Sequence, residues 1–212
     1  HGKILRQFEA HEADILVGTQ MIAKGHDFAN VTLVGVIAAD TSLHMDDYRV
    51  NEITFQLLTQ VNGRAGRHKE RIAVLHTYAP ENYSIQCAVT EDYATFYKEE
   101  IAFRKMAFYP PFAKMLTLML KCTDEAILNQ SVKEVQKRIR DFVAERQSDQ
   151  EKLPELSVVG PTKPYVYKLM DVYQLGFTIK TERLSDLYQL MDLLLPLQER
   201  FKTLQMNMDL IK

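Results

Sequence analysis

Cysteine is scarce in this chain. Only Cys87 and Cys122 occur, with no CxxC pair, so neither a disulfide framework nor a cysteine-based zinc site is encoded. Two isolated thiols predict a reduced, cytoplasmic setting. No apolar run reaches the ~18 residues of a membrane span, and no charged-then-apolar leader is visible. An excess of one charge is missing too. The 26 basic against 28 acidic residues exclude a nucleic-acid binder of the kind recognised by net charge, but not one with a local basic groove. The histidines at 1, 11, 26, 44, 68 and 76 include no pair three or four apart, which argues against a helix-borne metal site. No GxxxxGK[ST] phosphate loop occurs, and no internal repeat or low-complexity segment is visible.

What is present is apolar patterning. Hydrophobic residues make up 46% of 212 residues, enough for a sizeable core in one or two domains. Amphipathic material begins at Ile4 with no natural-looking start, from which we expect a piece of a longer protein. "ILVG" at 15–18 and "VTLVGVIAA" at 31–39 read as buried parallel strands, a helix is expected at about 50–67, and "IAVLHTY" at 72–78 reads as a further strand. Strands alternating with helices imply right-handed crossovers and a parallel sheet covered on both faces. In such sheets ligands bind beyond the carboxyl ends of the strands, which points to Thr19, Gln20, Asp40 and the loops after them.

From Pro80 the pattern changes. Residues 82–105 carry apolar side chains at helical spacing and read as one connecting helix, which "FYPPF" at 108–112 cannot continue because proline lacks an amide donor. Beyond that boundary come a strand ("MLTLMLKC"), a long helix at 124–146, strands at "LSVVG", "YVYKLM" and "YQLGFTIK", a helix at about 182–200 and a last strand ("LQMNMDLI"). Apart from the extra short strand at "YVYKLM", the order β, α, β, β, α, β is the split βαβ, ferredoxin-like pattern.

One short stretch carries chemistry. In "QVNGRAGRHKER", Gln60, Arg64 and Arg67 fall on one helical stripe, with Ile53, Leu57 and Val61 read as an anchoring apolar stripe about 100° away. Gly63 and Gly66 each weaken a helix by roughly 0.5–1 kcal/mol relative to Ala, which suggests a close approach to the backbone. A planar guanidinium suits phosphate. Spacing alone leaves open whether these arginines bind phosphate or are surface charges.

Together, "DILVGTQMIAKGHDF" at 14–28 and "QLLTQVNGRAGR" at 56–67 resemble the fifth and sixth motifs of helicase superfamily 2. The intervening "ADTSLHMDDYRVNE", with "YPPF" and the "GP" at 160–161, resembles segments peculiar to the bacterial replication-restart helicases. The resemblance implies a partial RecA-like parallel-sheet lobe at 1–80, a connecting helix and linker at 81–111, and an α+β C-terminal domain of ferredoxin-like pattern at 112–212. It implies a 3′→5′ DNA helicase acting at stalled forks and in primosome assembly. ATP and Mg are then held mainly by a first lobe that these residues do not supply, and zinc by cysteines upstream, so the fragment alone is expected to be inactive. Arg64 and Arg67 are expected to reach the γ-phosphate, Arg67 as the arginine finger, with Gln60 on the nucleotide or its attacking water and Gly63 allowing close approach of the lobes. Gly25 would supply a turn, Asp27 would sit near the ribose, and Thr19 and Gln20 would touch the DNA backbone. Lys24 fits either a phosphate contact or a solvated charge. Implied partners are forked and single-stranded DNA, single-stranded DNA-binding protein and other primosome proteins, with no membrane.

Asn62 departs from the family's usual small residue, and Ile53 from its arginine. The C-terminal domain is also less basic than the resemblance leads one to expect. Lys163, Tyr165, Tyr167, Lys168 and Tyr173 form either a stacking and phosphate surface or strand residues packed on helices. The competing functional readings are another superfamily 2 translocase and a non-enzymatic nucleic-acid-binding or adaptor protein.

Overall fold

The computed structural model describes residues 2–19, 22, 31–65, 72–148 and 156–211. The chain forms two compact units, His1–Glu100 and Ile101–Lys212.

In the first unit, α1 (Gly2–Glu9) buries no residue, and β1 (Leu33–Val36) pairs in parallel with β2 (Ile72–Leu75). Between them a 3-10 turn (Thr41–His44) leads into α2 (Val50–Ala65). Among the described residues the sheet has these two strands, each alternating exposed with half-buried positions. The "ILVG" segment is not a strand: Ile15 is 79% and Val17 84% exposed. A strand buried on both faces needs a hydrogen-bonding neighbour, and among the described residues this run has none. The expected parallel sheet covered on both faces is therefore seen only in part.

The helix expected over 82–105 is two helices, α3 (Tyr83–Thr90) and α4 (Tyr93–Met106). Glu91 adopts a left-handed conformation (φ 55°) and ends α3. Asp92 then accepts from the Thr95 amide (3.0 Å) and hydroxyl (2.6 Å), which satisfies the start of α4 and holds its own carboxyl below the usual aspartate range. At the start of α3, the Asn82 side chain accepts from the Ser84 amide. Ile85, Cys87, Ala88 and Phe96 join Phe55, Leu58 and Ala39 in one buried cluster. The first part of the segment read as a connection therefore contributes to this unit's core.

The second unit holds a five-stranded sheet among the described residues. Its strands are β3 (Lys114–Cys122), β4 (Leu156–Thr162), β5 (Lys168–Leu169), β6 (Val172–Thr181) and β7 (Gln205–Ile211), in the order β4-β6-β3-β7, with β5 on β6 and every pairing antiparallel. Leu116, Leu118 and Leu120 alternate toward the helices, while Thr117, Met119 and Lys121 face the other way, as expected for a sheet covered on one side. Leu128, Val132, Val135 and Ile139 of α5 (Glu125–Ser148) pack with Leu187, Leu190 and Leu194 of α6 (Leu184–Leu194) on that face. Pro196 opens a separate short helix, α7 (Pro196–Arg200), where the helix expected at 182–200 is broken, because proline takes the first helical position readily and an interior one poorly. "YVYKLM" contributes only the two residues of β5 as strand.

Two buried polar arrangements brace the second unit. Lys180 Nζ donates to the Ala107 carbonyl beyond the end of α4 (2.7 Å) and lies 4.1 Å from the centre of the Tyr109 ring. Arg146, near the end of α5, pairs with Asp186 in the first turn of α6 at 2.7 Å, both side chains nearly buried.

Candidate nucleotide and DNA interface of the first unit

The rotation of α2 is set by its packing. Thr54, Phe55, Leu58 and Val61 are buried, and the Phe55 ring stacks on Phe96 at 4.1 Å. Ile53 and Leu57, expected to anchor the helix, are only half-buried. At about 100° per residue, Ile53, Leu57 and Arg64 fall within about 40° of one another. They therefore form a flank that runs up into Gln60 and Arg64, not a separate face. The helix is in contact with both strands on one side and with α3 on the other, so its buried arc is wider than a spacing argument allows.

Gln60 is exposed, one turn before Arg64 on the same ridge. Gly63 and Arg64 belong to the helix by their backbones. Thr19 is exposed, and its carbonyl accepts from the Ile22 amide at 2.9 Å. Gln20, Lys24, Gly25, Asp27 and Arg67 lie outside the described residues. Asn62 has a structural partner: its Nδ2 donates to the Val89 carbonyl (3.3 Å) and Glu91 Oε1 (3.2 Å) at the end of α3. Its amide satisfies a helix end that a small residue would leave to solvent.

The carboxyl edge of the sheet is built around Asp40. Its side chain is 8% exposed, and Oδ1 accepts from the Tyr78 amide at 3.0 Å. That donor holds the carboxyl below the usual aspartate range, against burial, which acts in the opposite sense. His44 Nε2 lies 3.8 Å from Asp40 Oδ2, and His76 Nδ1 accepts from the Ala38 amide at 3.4 Å. Nearby, Asp47 grips Arg49 through its backbone amide (2.8 Å), Nε (3.0 Å) and Nη2 (2.7 Å), keeping that guanidinium charged and its fork occupied. Much of the 39–52 segment thus folds on itself. The sequence signal for this loop is an aspartate two residues before its amide donor, a turn signature that a search for ligand-binding residues passes over.

These features occupy two ends of α2. Asn51, at its start, contacts Asn82 just after the carboxyl edge, whereas the last described turn precedes β2 by a few residues and so lies toward the amino edge. Gln60 and the Arg64 backbone are at one end, and Asp40, His44 and Tyr78 at the other. Asp40 therefore lies at the opposite end of α2 from Gln60.

In the second unit, Tyr167 and Tyr173 pack against the core, their ring centres 5.6 Å apart, whereas Tyr165 is 95% exposed. Packing therefore explains two of the three tyrosines proposed for a stacking surface.

Residues 1–69 match the model of the helicase conserved C-terminal domain. Over 192 residues the chain is 41% identical to the replication restart protein PriA of Bacillus subtilis (strain 168), an alignment covering 90% of this chain and 23% of that protein. It is 38% identical over 187 residues to the replication restart protein PriA of Chlamydia trachomatis serovar D, covering 87% and 23%. With that of Synechocystis sp. it is 38% identical over 182 residues, covering 85% and 21%. The chain spans less than a quarter of the length of these relatives. The same named protein matched along most of this chain in three bacteria, with a helicase domain on its first third, supports placing the chain as a C-terminal fragment of a replication restart protein PriA.

Proposed function

We propose that the chain is the C-terminal part of an ATP-dependent 3′→5′ DNA helicase that acts at stalled replication forks and in primosome assembly. The observation that carries this reading is the match to PriA proteins over about nine-tenths of the chain, with the helicase domain on the residues that hold Gln60 and Arg64. In this reading ATP and Mg sit mainly on a first lobe. Arg67 extends across as the arginine finger, Arg64 supports it, and Gln60 holds the nucleotide or its attacking water. The open position of Gln60 on the ridge of Arg64 fits a ligand approaching from outside the unit. Bound ATP with Mg supplies the phosphoryl group and its leaving group. The guanidinium groups stabilise the charge that develops on that group.

Gly25 and Asp27 are assigned to the lobe interface and ribose, Gly63 to close approach of the lobes, and Thr19, Gln20 and Lys24 to the DNA backbone, which moves a motor without reading sequence. The domain scheme of a partial RecA-like lobe at 1–80, a connection at 81–111 and a ferredoxin-like domain at 112–212 belongs to the same reading. The antiparallel order β4-β6-β3-β7 supports its last part. Forked DNA, single-stranded DNA-binding protein and primosome proteins are the partners, and a zinc site lies elsewhere in the intact protein. No helix of the described residues is long and apolar enough to cross a membrane.

The test is Arg67→Ala in the intact protein. A finger of this kind is worth roughly 10³–10⁵ in rate. DNA-stimulated ATP hydrolysis should collapse while DNA binding stays nearly intact, and hydrolysis within twofold of wild type would refute the assignment.

A further inference from the structure

The two edge strands of the second unit's sheet differ in character. β7 exposes Gln205, Asn207 and Asp209, polar side chains of the kind that discourage a further strand, whereas Leu156–Val159 of β4 carry no charge and leave Val158 36% and Val159 48% exposed. Among the described residues no strand pairs with the outer side of that stretch. A register shift between Val159 and Thr162, with Pro161 inside it, ends it.

Beside this open edge, between β4 and α5, lies a cleft of about 450 Å³. Ile139 and Val143 form one wall, Leu156 and Val158 the other, and Phe177 the floor. At Gly160 a Cβ would stand 2.7 Å from Phe177 Cδ1, so a glycine there leaves that ring in place. Arg140 reaches the cleft from α5. Lys133, Lys137 and Arg140 fall at i, i+4 and i+7 and so share one stripe of α5, all three exposed and without an ion-pair partner among the described residues. The carboxylates of this part of the helix, Glu134, Asp141 and Glu145, fall on another stripe roughly 90° round, where Glu134 is held by Arg138 (3.6 Å) and Arg200 (3.3 Å). An unpaired strand edge, an apolar slot and a row of uncompensated cations therefore lie side by side.

We propose that this edge receives an extended acidic segment of a partner protein as an added strand, with one apolar side chain seated in the cleft and a carboxylate on each side of it facing the cation row. In an added strand every second side chain points to the helix side, about 7 Å apart. Lys137 lies ~6 Å along the helix from Lys133, and Arg140 ~4.5 Å further, so acidic residues flanking the anchor meet cations about one turn apart. Main-chain bonds to β4 supply affinity, and the slot and the cations select the sequence. Pairing with β4 of a second copy would bring two cation rows together, which favours a partner of opposite sign. A nucleic acid has the opposite sign but no row of amides and carbonyls to continue the sheet and no apolar side chain for the slot.

The test follows the β4 amide resonances of the isotope-labelled 212-residue chain as the peptide Thr-Glu-Thr-Phe-Thr-Glu-Thr, blocked at both ends, is added at low ionic strength. Saturable shifts centred on Leu156–Val159 are expected. Of two versions N-methylated at alternate residues, one should bind at least about tenfold more weakly than the other, because only alternate amides face the edge. Lysine in place of both glutamates should abolish binding. Lys133→Gln, Lys137→Gln and Arg140→Gln together should weaken it roughly 3- to 150-fold and flatten its dependence on salt. Ala144→Phe, which fills the slot from an exposed position on α5, should weaken it at least as much. All four substituted positions are exposed, so the variants should melt with the wild-type chain. The inference is overturned if no β4 resonance shifts up to about 1 mM peptide, if the two N-methylated versions bind within twofold of each other, or if the lysine peptide binds as well as the acidic one. It is equally overturned if the triple variant or Ala144→Phe binds within twofold of wild type, or if oligo-dT moves the same resonances at lower concentration than the peptide, which would make the cation row a nucleic-acid contact.

Discussion

Arg146→Ala should be the most damaging single change in the second unit that creates no apolar cavity. It leaves the Asp186 carboxylate, 6% exposed, without its 2.7 Å cation. Breaking a buried pair by removing one partner costs about 3–5 kcal/mol. Two features reduce that figure. Thr181 Oγ1 still donates to Asp186 Oδ2 at 3.1 Å, and the first turn of α6 favours a carboxylate by up to ~2 kcal/mol. Arg183, 4.0 Å away and about half exposed, is a poor substitute. A loss of about 2–4 kcal/mol remains, which for a unit of this size lowers Tm by roughly 10–20 °C. Thermal denaturation by circular dichroism, with hydrogen exchange at the β3 amides to confine the signal to this unit, measures it. The double variant Arg146→Met with Asp186→Leu should recover most of the loss. Arg146 Nε and Nη2 are buried without a well-directed hydrogen bond among the described residues, despite the 2.7 Å approach of Nη2 to Asp186, so the pair is imperfect and an apolar replacement gives up little. A Tm shift below about 3 °C in Arg146→Ala, or a double variant no better than the single, would refute the reasoning.

Three further outcomes follow from the same geometry. The Tyr78 amide donated to Asp40 stabilises the ionised carboxyl, so that contribution is complete above about pH 3.9, the ordinary aspartate value, and is lost as pH falls through the lower folded value. The Tyr78 amide resonance should therefore shift only below about pH 4, and a transition above that refutes the assignment. Gly160→Ala should destabilise the second unit by about 1–3 kcal/mol in a urea titration, since its φ is 135° and a Cβ would stand 2.7 Å from Phe177 Cδ1 and 2.8 Å from the Gly176 carbonyl. An unchanged midpoint would count against it. Asn62→Ala should cost the first unit about 0.5–1.5 kcal/mol by freeing the end of α3, while the hydrolysis proposed for the intact protein should stay within twofold. A large loss of activity with no loss of stability would mean that Asn62 acts at the site.

Much of the second unit was legible because each signal was local and agreed with its neighbours. Leu116, Leu118 and Leu120 alternate, Leu128, Val132, Val135 and Ile139 recur at helical spacing, and a polar stretch follows them before β4. The breaks at Glu91 and Leu195 were harder to see. A left-handed residue followed by a capping aspartate interrupts a helix without disturbing its apolar period, and Pro196 can start a helix as easily as end one. "ILVG" misled because composition reports a preference for burial and not the neighbour that would provide it. At the site, spacing put Gln60 and Arg64 on one ridge, but Ile53 and Leu57 could not be assigned to a face without the partner helices. The Asp47–Arg49 grip and the Asn62 contacts lay beyond reach, because both depend on where a side chain's acceptor ends up and not on its spacing.

The continuity of α2 has a mechanical consequence. Sixteen residues of unbroken helix make a rod about 24 Å long with no proline along it, held to α3 by side-chain contacts near each extremity. A rod pinned in this way does not absorb a push at its tip by bending. A displacement imposed near Gln60 would be carried along the helix axis toward Asn51 and the folded loop beside it, at the far rim of the sheet.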